Sequence, residues 1–324
     1  MRHGTRLASV SAVALALLVT ACGGDPKGPP PPPPGGLSAA KAAPTGDGQI
    51  GPVQAPLANP LRIVVLNDGI PESGVSVNWS GLGTAATFNP PSGTTDANGI
   101  ASSTWTLPQE AGTATAQADV SGASGSPVVF TATGRPGAAT GVALVSGSGQ
   151  AGGVNLLADD PLVVLVTDQY GNGVSGVAVT WVVTQGFASV PTVTQSGTNG
   201  RAEAIVRYGA LTGPVTVTAT VAGLGSTPFN LIAGHLITVQ NNEFVPSQLT
   251  ISSLANAYVV WKWTPTARNH NVVPDLLAPT PSGNPTDGPH TYVFQFTARA
   301  NYAFYCIIHG GPGGQGMSGL ISVN

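Results

Sequence analysis

The C-terminal part of the chain holds four side chains that together could bind a metal ion. Cys306 offers a thiolate, His309 lies three positions further on, Met317 offers a thioether, and His270 lies upstream in the segment RNHNVV. One thiolate, two imidazoles and one thioether form the donor set of a type 1 (blue) copper centre, which few other sites use. The chain has only two Met and two Cys, so chance rarely produces such a group. These residues predict one copper ion per chain and the chemistry of electron transfer.

Other roles for the same residues stay open at this point. Met317 could be a core side chain, and zinc could bind one cysteine and two histidines, although structural zinc sites do not usually recruit methionine. Cys306 and His309 could form a nucleophile and its base, but no third group is evident to orient the base. We therefore expect no enzyme activity. The other histidines of this region are expected to be a surface turn residue, His290, and a structural residue, His235.

Short strands are expected to position these side chains, because residues 235–324 show no apolar residues at helical spacing. Tyr292, Phe294 and Phe296 alternate with more polar residues, which is the period of a half-buried strand. Such a pattern favours a Greek-key sandwich. The predicted strands of this unit are His235–Gln240, Gln248–Ser252, Tyr258–Trp263, Thr291–Thr297, Tyr302–Cys306 and Gly319–Val323.

This unit resembles the plastocyanin-like cupredoxins over its whole length. The resemblance is carried by the opening VQNNEFVPSQLTI, by a histidine after the strand VVWKW, and by the C-terminal cluster FYCIIHGGPGGQGM. It implies that Nδ1 of His270, the thiolate of Cys306 and Nδ1 of His309 bind copper, with the thioether of Met317 as the axial ligand. It also implies an outer role for Asn271, whose backbone N–H can bond the sulfur and whose side chain ties loops together. The sequence departs from plastocyanin in the longer, glycine-rich segment between the last two ligands.

Two internal repeats precede this unit. Asn98-Gly99, a strong turn dipeptide, recurs as Asn199-Gly200, an offset of 101 residues that is the size of one immunoglobulin-like unit. Trp79 and Trp181 occupy corresponding strand positions and are expected to pack between sheets. The pattern DQYGNGVSGVAVTW, which begins at Asp168, resembles bacterial immunoglobulin-like domains of the invasin/intimin type. The resemblance implies spacer or adhesive modules, and we place them at residues 58–136 and 137–234.

The N-terminus reads as a targeting segment followed by a tether. An apolar run too short to span a bilayer follows Arg2 and Arg6 and ends in LVTAC, which resembles the lipobox of bacterial lipoproteins. The resemblance implies a signal peptide over residues 1–21 and a lipid on Cys22, although an ordinary secretory signal is the alternative. Residues 22–57, with the proline run at 29–34, are predicted to be a tether. A lipidated Cys22 would leave Cys306 as the only thiol, which a metal could occupy.

The composition agrees with an exported β-protein. Charged residues make up 8% of the chain, against about 25% in ordinary domains, and Val, Thr, Ser and Gly favour strands and turns. The net charge of −3 provides no basic patch, so nucleic acid is not an expected partner. The predicted fold class is all-β, with two immunoglobulin-like β-sandwiches followed by a Greek-key cupredoxin β-sandwich.

The predicted function is single-electron transfer by an exported copper protein that is lipid-anchored to a bacterial membrane and serves a redox partner protein. Two alternatives remain: a surface adhesive or structural stalk with a cupredoxin head, and a protein that binds copper for transfer.

Overall fold

The computed structural model describes residues 36–82, 85–255, 257–276 and 278–324. Within these ranges the chain forms β-strands and no helix, so the all-β fold class is confirmed. Accordingly, none of these residues belongs to a helix that could cross a membrane. The predicted signal peptide, the lipidation site Cys22 and the proline run at 29–34 lie outside the described residues.

The first sandwich consists of two five-stranded sheets. One sheet has the order β1-β3-β8-β6 with β4 paired to β3, and the other has the order β2-β10-β9-β5-β7. Its strands are β1 (Leu37–Lys41), β2 (Gln49–Pro52), β3 (Leu61–Asn67), β4 (Ile70–Pro71), β5 (Ser76–Gly81), β6 (Thr87–Asn89), β7 (Ser92–Thr94), β8 (Ile100–Thr106), β9 (Gly112–Asp119) and β10 (Val128–Arg135).

The second sandwich repeats this arrangement. A three-stranded sheet, β11-β13-β17, faces a sheet with the order β16-β14-β19-β20, to which β12 adds in parallel, and β15 pairs with β18. Its strands are β11 (Gly141–Ser146), β12 (Ala151–Gly153), β13 (Leu162–Thr167), β14 (Ala178–Gln185), β15 (Ala188–Ser189), β16 (Val193–Gln195), β17 (Arg201–Ala204), β18 (Arg207–Tyr208), β19 (Gly213–Val221) and β20 (Gly225–Gln240).

The third unit uses the far end of β20. Here β20 pairs with β21 and, in parallel, with β23, which continues to β25. The opposing sheet has the order β22-β27-β26-β24. The strands are β21 (Glu243–Val245), β22 (Gln248–Ile251), β23 (Ala257–Trp263), β24 (Val273–Pro274), β25 (His290–Phe296), β26 (Ala300–Gly311) and β27 (Gln315–Val323). All six predicted strands are present, and the last two form a longer hairpin than expected.

Each repeat buries a tryptophan between its sheets, as the repeat pattern predicts. Trp79 packs against Phe130 with ring centroids 6.0 Å apart, and Trp181 packs against Phe229 at 5.8 Å. The strands that carry these rings alternate buried and exposed positions, which is why each sheet has one apolar face. The two repeats therefore form similar cores.

The expected tether is shorter than residues 22–57. Residues 37–41 pair with β3, and residues 49–52 pair with β10, so both segments belong to the first sandwich. The first sandwich therefore begins before residue 58. The sequence of this segment lacks the alternation of apolar and polar residues that is typical of a strand, and it is rich in small residues and prolines. It therefore does not predict that β1 and β2 each add to an edge of a sheet.

One loop of the second sandwich forms hydrogen bonds at the joint between the first two sandwiches. Oδ2 of Asp168 accepts the backbone N–H of Gly137 at 2.9 Å and Nδ2 of Asn172 at 3.0 Å. Asn172 also reaches the first sandwich, where its Oδ1 accepts the N–H of Ala111 and its Nδ2 donates to the carbonyl of Gln109, both at 2.8 Å. Burial alone would raise the pKa of Asp168, but the hydrogen bonds from Asn172 and Gly137 hold that pKa below its usual range.

The second and third units share a strand. The predicted boundary between residues 234 and 235 falls inside β20, whose first part pairs with β19 and whose last part pairs with β23. Lys262 of the third unit also forms an ion pair with Asp159 of the second. The metal-binding candidates are therefore carried by a unit that is joined to the second sandwich through backbone pairing.

Candidate metal centre

His270 lies in the long connection between β23 and β25, and three hydrogen bonds hold its backbone. Its N–H donates to the carbonyl of Thr286 at 3.0 Å, and the N–H of Thr286 donates back to the carbonyl of His270 at 2.9 Å. That carbonyl also accepts the indole N–H of Trp263 at 3.1 Å. Trp263 is buried on β23, so the connection is fastened to the sheet at the residue that carries the imidazole.

Cys306 and His309 lie on β26, where its pairing with β27 becomes irregular. The register shifts between Tyr305 and Gly310, so the residues between them depart from the regular ladder. In a regular strand, residues three apart point to opposite faces of the sheet. The irregularity lets Cys306 and His309 face the same point.

Three ligand atoms converge at this place. Sγ of Cys306 lies 3.7 Å from Nδ1 of His270 and 3.6 Å from Nδ1 of His309. All three ligand atoms lie within 4.8 Å of one another, and the two imidazole centroids are 4.5 Å apart. The Nδ1 atoms, which the resemblance implied as ligands, are the ring nitrogens that face the sulfur.

These distances fit a shared metal ion. Metal–sulfur and metal–nitrogen bonds of about 2.3 and 2.0 Å, at angles between tetrahedral and trigonal, place the two donor atoms about 3.5–3.7 Å apart. Nε2 of His270 is buried and has no hydrogen-bond partner among the described residues, so Nδ1 is the nitrogen of that ring with polar neighbours. The donor set and its spacing therefore fit copper.

The site is shielded from water on most sides. Cys306 is 0% exposed and His270 is 1% exposed, whereas His309 is half-buried. Burial lowers the pKa of His270, and the neighbouring His309 lowers it further. A lowered pKa favours the uncharged imidazole, which is the form that can bind a metal.

Asn271 ties three segments together around the site. Its Oδ1 accepts the backbone N–H of Ile307 at 3.1 Å, and its Nδ2 donates to the carbonyl of Gly283 at 3.0 Å. The side chain therefore joins the segment of His270 to those of Ile307 and Gly283, and its effect on a bound metal stays a prediction. The expected bond from its backbone N–H to sulfur is not among the hydrogen bonds of the described residues, where Sγ of Cys306 instead lies 4.0 Å from the carbonyl of Asn269.

Met317 lies on β27 and is 2% exposed. It belongs to the same cluster of buried side chains as Cys306, Phe304 and Ile321. The structure therefore brings the thioether into the core that surrounds the sulfur, and its role as the axial ligand stays a prediction. The other two histidines of the third unit lie elsewhere: His290 is exposed with its ring against Trp263, and His235 lies at the start of this unit on β20.

Two side chains that hold the site carry no signal in the sequence. Trp263 bonds the carbonyl of His270, and Asp275 accepts the backbone N–H of Gly313 at 2.9 Å. In the sequence, Trp263 is one residue of an apolar strand, and Asp275 is one of the few charged residues. Neither carries a pattern that reveals its partner.

No model of a known protein family matches the sequence, and no curated protein matches it. Among solved structures, FdeC, an Escherichia coli adhesin, is 17% identical, covers 90% of this chain and 98% of its own, and has a TM-score of 0.42. Invasin, a bacterial integrin-binding protein, is 15% identical over 89% of this chain and 60% of its own, with a TM-score of 0.31. Pseudoazurin from Hyphomicrobium denitrificans is 22% identical over 28% of this chain and 76% of its own, with a TM-score of 0.22. Because all three TM-scores are below 0.5, these likenesses assign the chain to no family.

Proposed function

We propose that the chain is a blue-copper electron carrier in which His270, Cys306, His309 and Met317 bind one copper ion. The observation that supports this most strongly is the approach of two imidazole Nδ1 atoms to one buried cysteine sulfur. Copper bound to such donors supplies reversible one-electron chemistry between Cu(I) and Cu(II). Catalysis of a substrate reaction is not part of the proposal.

The protein's own residues would keep the donors in one arrangement. Trp263 and Thr286 hold the backbone of His270, and Asn271 holds the strand that carries Cys306. A donor set that moves little when the charge changes by one suits electron transfer, because neither oxidation state requires rearrangement. The buried apolar side chains around Cys306 exclude water from the sulfur.

Electrons would pass to a redox partner protein at the surface around His309. Ile307 and Ile308 are 48% and 52% exposed beside this half-buried histidine. The third unit has three basic side chains and three acidic ones, so strong electrostatic steering is not expected. A small apolar contact would suit a transient partner.

The cellular setting is also a proposal. LVTAC at residues 18–22 favours export and a lipid on Cys22, which would attach the protein to a bacterial membrane. The two sandwiches would then act as spacers between the membrane and the metal centre. An adhesive or structural stalk with a metal-binding head is the second candidate, supported by two complete sandwiches that carry no metal-ligand cluster among the described residues.

The test is the visible spectrum of the purified full chain after addition of Cu(II). We expect one copper per chain and an intense visible band from the thiolate, which Cys306→Ser should abolish. Cys22→Ser is the matched control, because it removes the other cysteine of the chain and should leave the band intact. A colourless Cu(II) complex, or equal colour in the Cys306→Ser protein, would refute the proposal.

A further inference from the structure

The glycine-rich segment between His309 and Met317 is a β-hairpin. Gly310 pairs with Gly316 and Gly311 with Gln315, so the ends of β26 and β27 stay joined beyond the metal-binding candidates. The turn consists of residues 312–314. The insertion that separates this sequence from plastocyanin therefore extends the sheet.

The hairpin sets the spacing of two candidate ligands. His309 immediately precedes it, and Met317 immediately follows it. A Cβ atom on Gly316 would overlap the carbonyl oxygen of His309, and one on Gly310 would overlap the carbonyl oxygen of Met317. The backbones of the two ligand residues are thus packed against the paired glycines, and a change in the hairpin would move both ligands.

A hairpin with so many glycines is flexible unless a contact from outside the hairpin holds it. Gly313, Gly314 and Gly316 all have positive φ angles, and glycine loses more conformational freedom on ordering than any other residue. Among the residues that the structure describes, one side chain forms a hydrogen bond with the turn, at the protein surface: Oδ2 of Asp275 accepts the backbone N–H of Gly313 at 2.9 Å. This bond has a charged acceptor, which makes it stronger than a bond between neutral groups.

Asp275 is itself fixed to the strand that carries Cys306. Its backbone N–H donates to the carbonyl of Ala303 at 2.9 Å. The two residues before it form β24, in which Val273 pairs with Tyr305, the neighbour of Cys306. Asp275 therefore connects the tip of the hairpin to the same sheet from which the hairpin extends.

We propose that Asp275 is a positioning residue of the metal centre. Its carboxylate holds the hairpin tip through the hydrogen bond from Gly313, which we call the latch. The latch keeps His309 and Met317 at a fixed spacing and slows release of the metal. This inference rests on the proposed function. A latched hairpin favours an electron carrier, which keeps its copper, over a protein that transfers copper to a partner.

The latch can be tested on the metal-free full chain. We expect Asp275→Ala to increase the hydrogen-exchange rate of the Gly313 amide about tenfold, the loss expected for a hydrogen bond to a charged acceptor. Asp275→Asn, which keeps an oxygen acceptor but loses the charge, should give a smaller increase. Asp96→Ala is the matched control, because Asp96 also accepts backbone N–H groups, at 2.8 and 2.9 Å, but lies in the first sandwich. An unchanged Gly313 rate in the Asp275→Ala protein would overturn the latch; if that variant does not fold, an unchanged rate in the Asp275→Asn protein would do so.

The second readout is copper release to a chelator, followed by the visible band. We expect release to become several-fold faster in Asp275→Ala and to be unchanged in Asp96→Ala. Faster Gly313 exchange with unchanged copper release would show that the latch does not position the ligands, and would overturn the inference while leaving the proposed function intact. Absence of any thiolate-to-copper band in the unmodified protein would refute the proposed function instead, and the Gly313 measurement would still decide whether the latch exists.

Discussion

Met317 differs from the other three candidate ligands because a thioether is a weak donor. Sγ of Cys306 and Nδ1 of the two imidazoles already lie close together, whereas Met317 belongs to the same buried cluster as Cys306 and lies on the neighbouring strand. An axial thioether changes the balance between Cu(I) and Cu(II) more than it changes the strength of binding. The reduction potential is therefore the property through which Met317 can be recognised.

We expect Met317→Leu to keep the visible band and to raise the reduction potential, because the loss of an axial donor disfavours Cu(II). Met317→Gln offers a stronger oxygen donor and should lower the potential. The swap to leucine conserves volume, so it should cost less than about 1.5 kcal/mol of stability. Protein-film voltammetry of the three proteins measures the shifts, and identical potentials would remove Met317 from the ligand set.

At the scale of the elements, the β26–β27 hairpin is closely packed beside the candidate site. Gly310 and Gly311 are neighbours in sequence but differ in their surroundings. A Cβ on Gly310 would overlap backbone oxygens of Met317 and Gln315, whereas a Cβ on Gly311 would meet only the side-chain oxygen of Gln315, at 4.0 Å. Backbone atoms cannot move aside as the end of a side chain can.

Gly310→Ala should therefore lower the free energy of unfolding by about 1–3 kcal/mol, the usual range for overpacking, and should shift the visible band. Gly311→Ala is the matched control and should leave both nearly unchanged. Denaturant unfolding of the metal-free proteins and spectra of the copper-bound ones make the comparison. Equal effects of the two substitutions would mean that the paired backbones are not as close as the structure shows.

At the scale of the whole molecule, the chain is a series of β-sheet units whose junctions are held by specific contacts. The second and third units share β20, and the first and second are joined by Asp168 and Asn172. Because these contacts include hydrogen bonds to backbone groups, the angle between the first two sandwiches should be narrowly distributed. Such joints would hold a metal centre at a fixed distance from an anchor.

We expect Asp168→Ala and Asn172→Ala to broaden the distance distribution between spin labels at positions 102 and 203, which are equivalent surface sites of the two repeats. The labels would be placed in a chain without Cys22 and Cys306, and pulsed electron paramagnetic resonance would measure the distance. Asp96→Ala is the control without a contact at the joint. Unchanged distributions in both joint variants would contradict the role of this loop.

The same joint should depend on pH in a predictable direction. The pKa of Asp168 is lower in the folded protein than in the unfolded chain, so its contribution is complete above the unfolded value of about 3.9. That contribution is lost as the pH falls through the lower, folded pKa. The distance distribution should therefore stay narrow at pH 5 and broaden only in more acidic solution.

Much of this protein could be predicted from local patterns. Alternating residues and turn dipeptides indicate the strands, because both depend on near neighbours in the chain, and the six predicted strands of the third unit are present. Cys306, His309, His270 and Met317 stand out as metal-ligand candidates by residue type, because few side-chain types bind copper. The segments at residues 37–41 and 49–52 were missed as strands, because only their partners on neighbouring strands give them that structure.

The sequence by itself determined the all-β class, the two repeats and the chemical types of the metal-binding candidates, because these follow from composition, period and donor atoms. The tertiary structure alone decided which donors meet. His270 and Cys306 are 36 residues apart in the chain, yet Nδ1 and Sγ lie 3.7 Å apart. It also decided that Asp275 reaches Gly313, and that one strand serves two units. Such contacts join distant segments through backbone groups, which every residue carries. The residue types in the sequence therefore do not predict them.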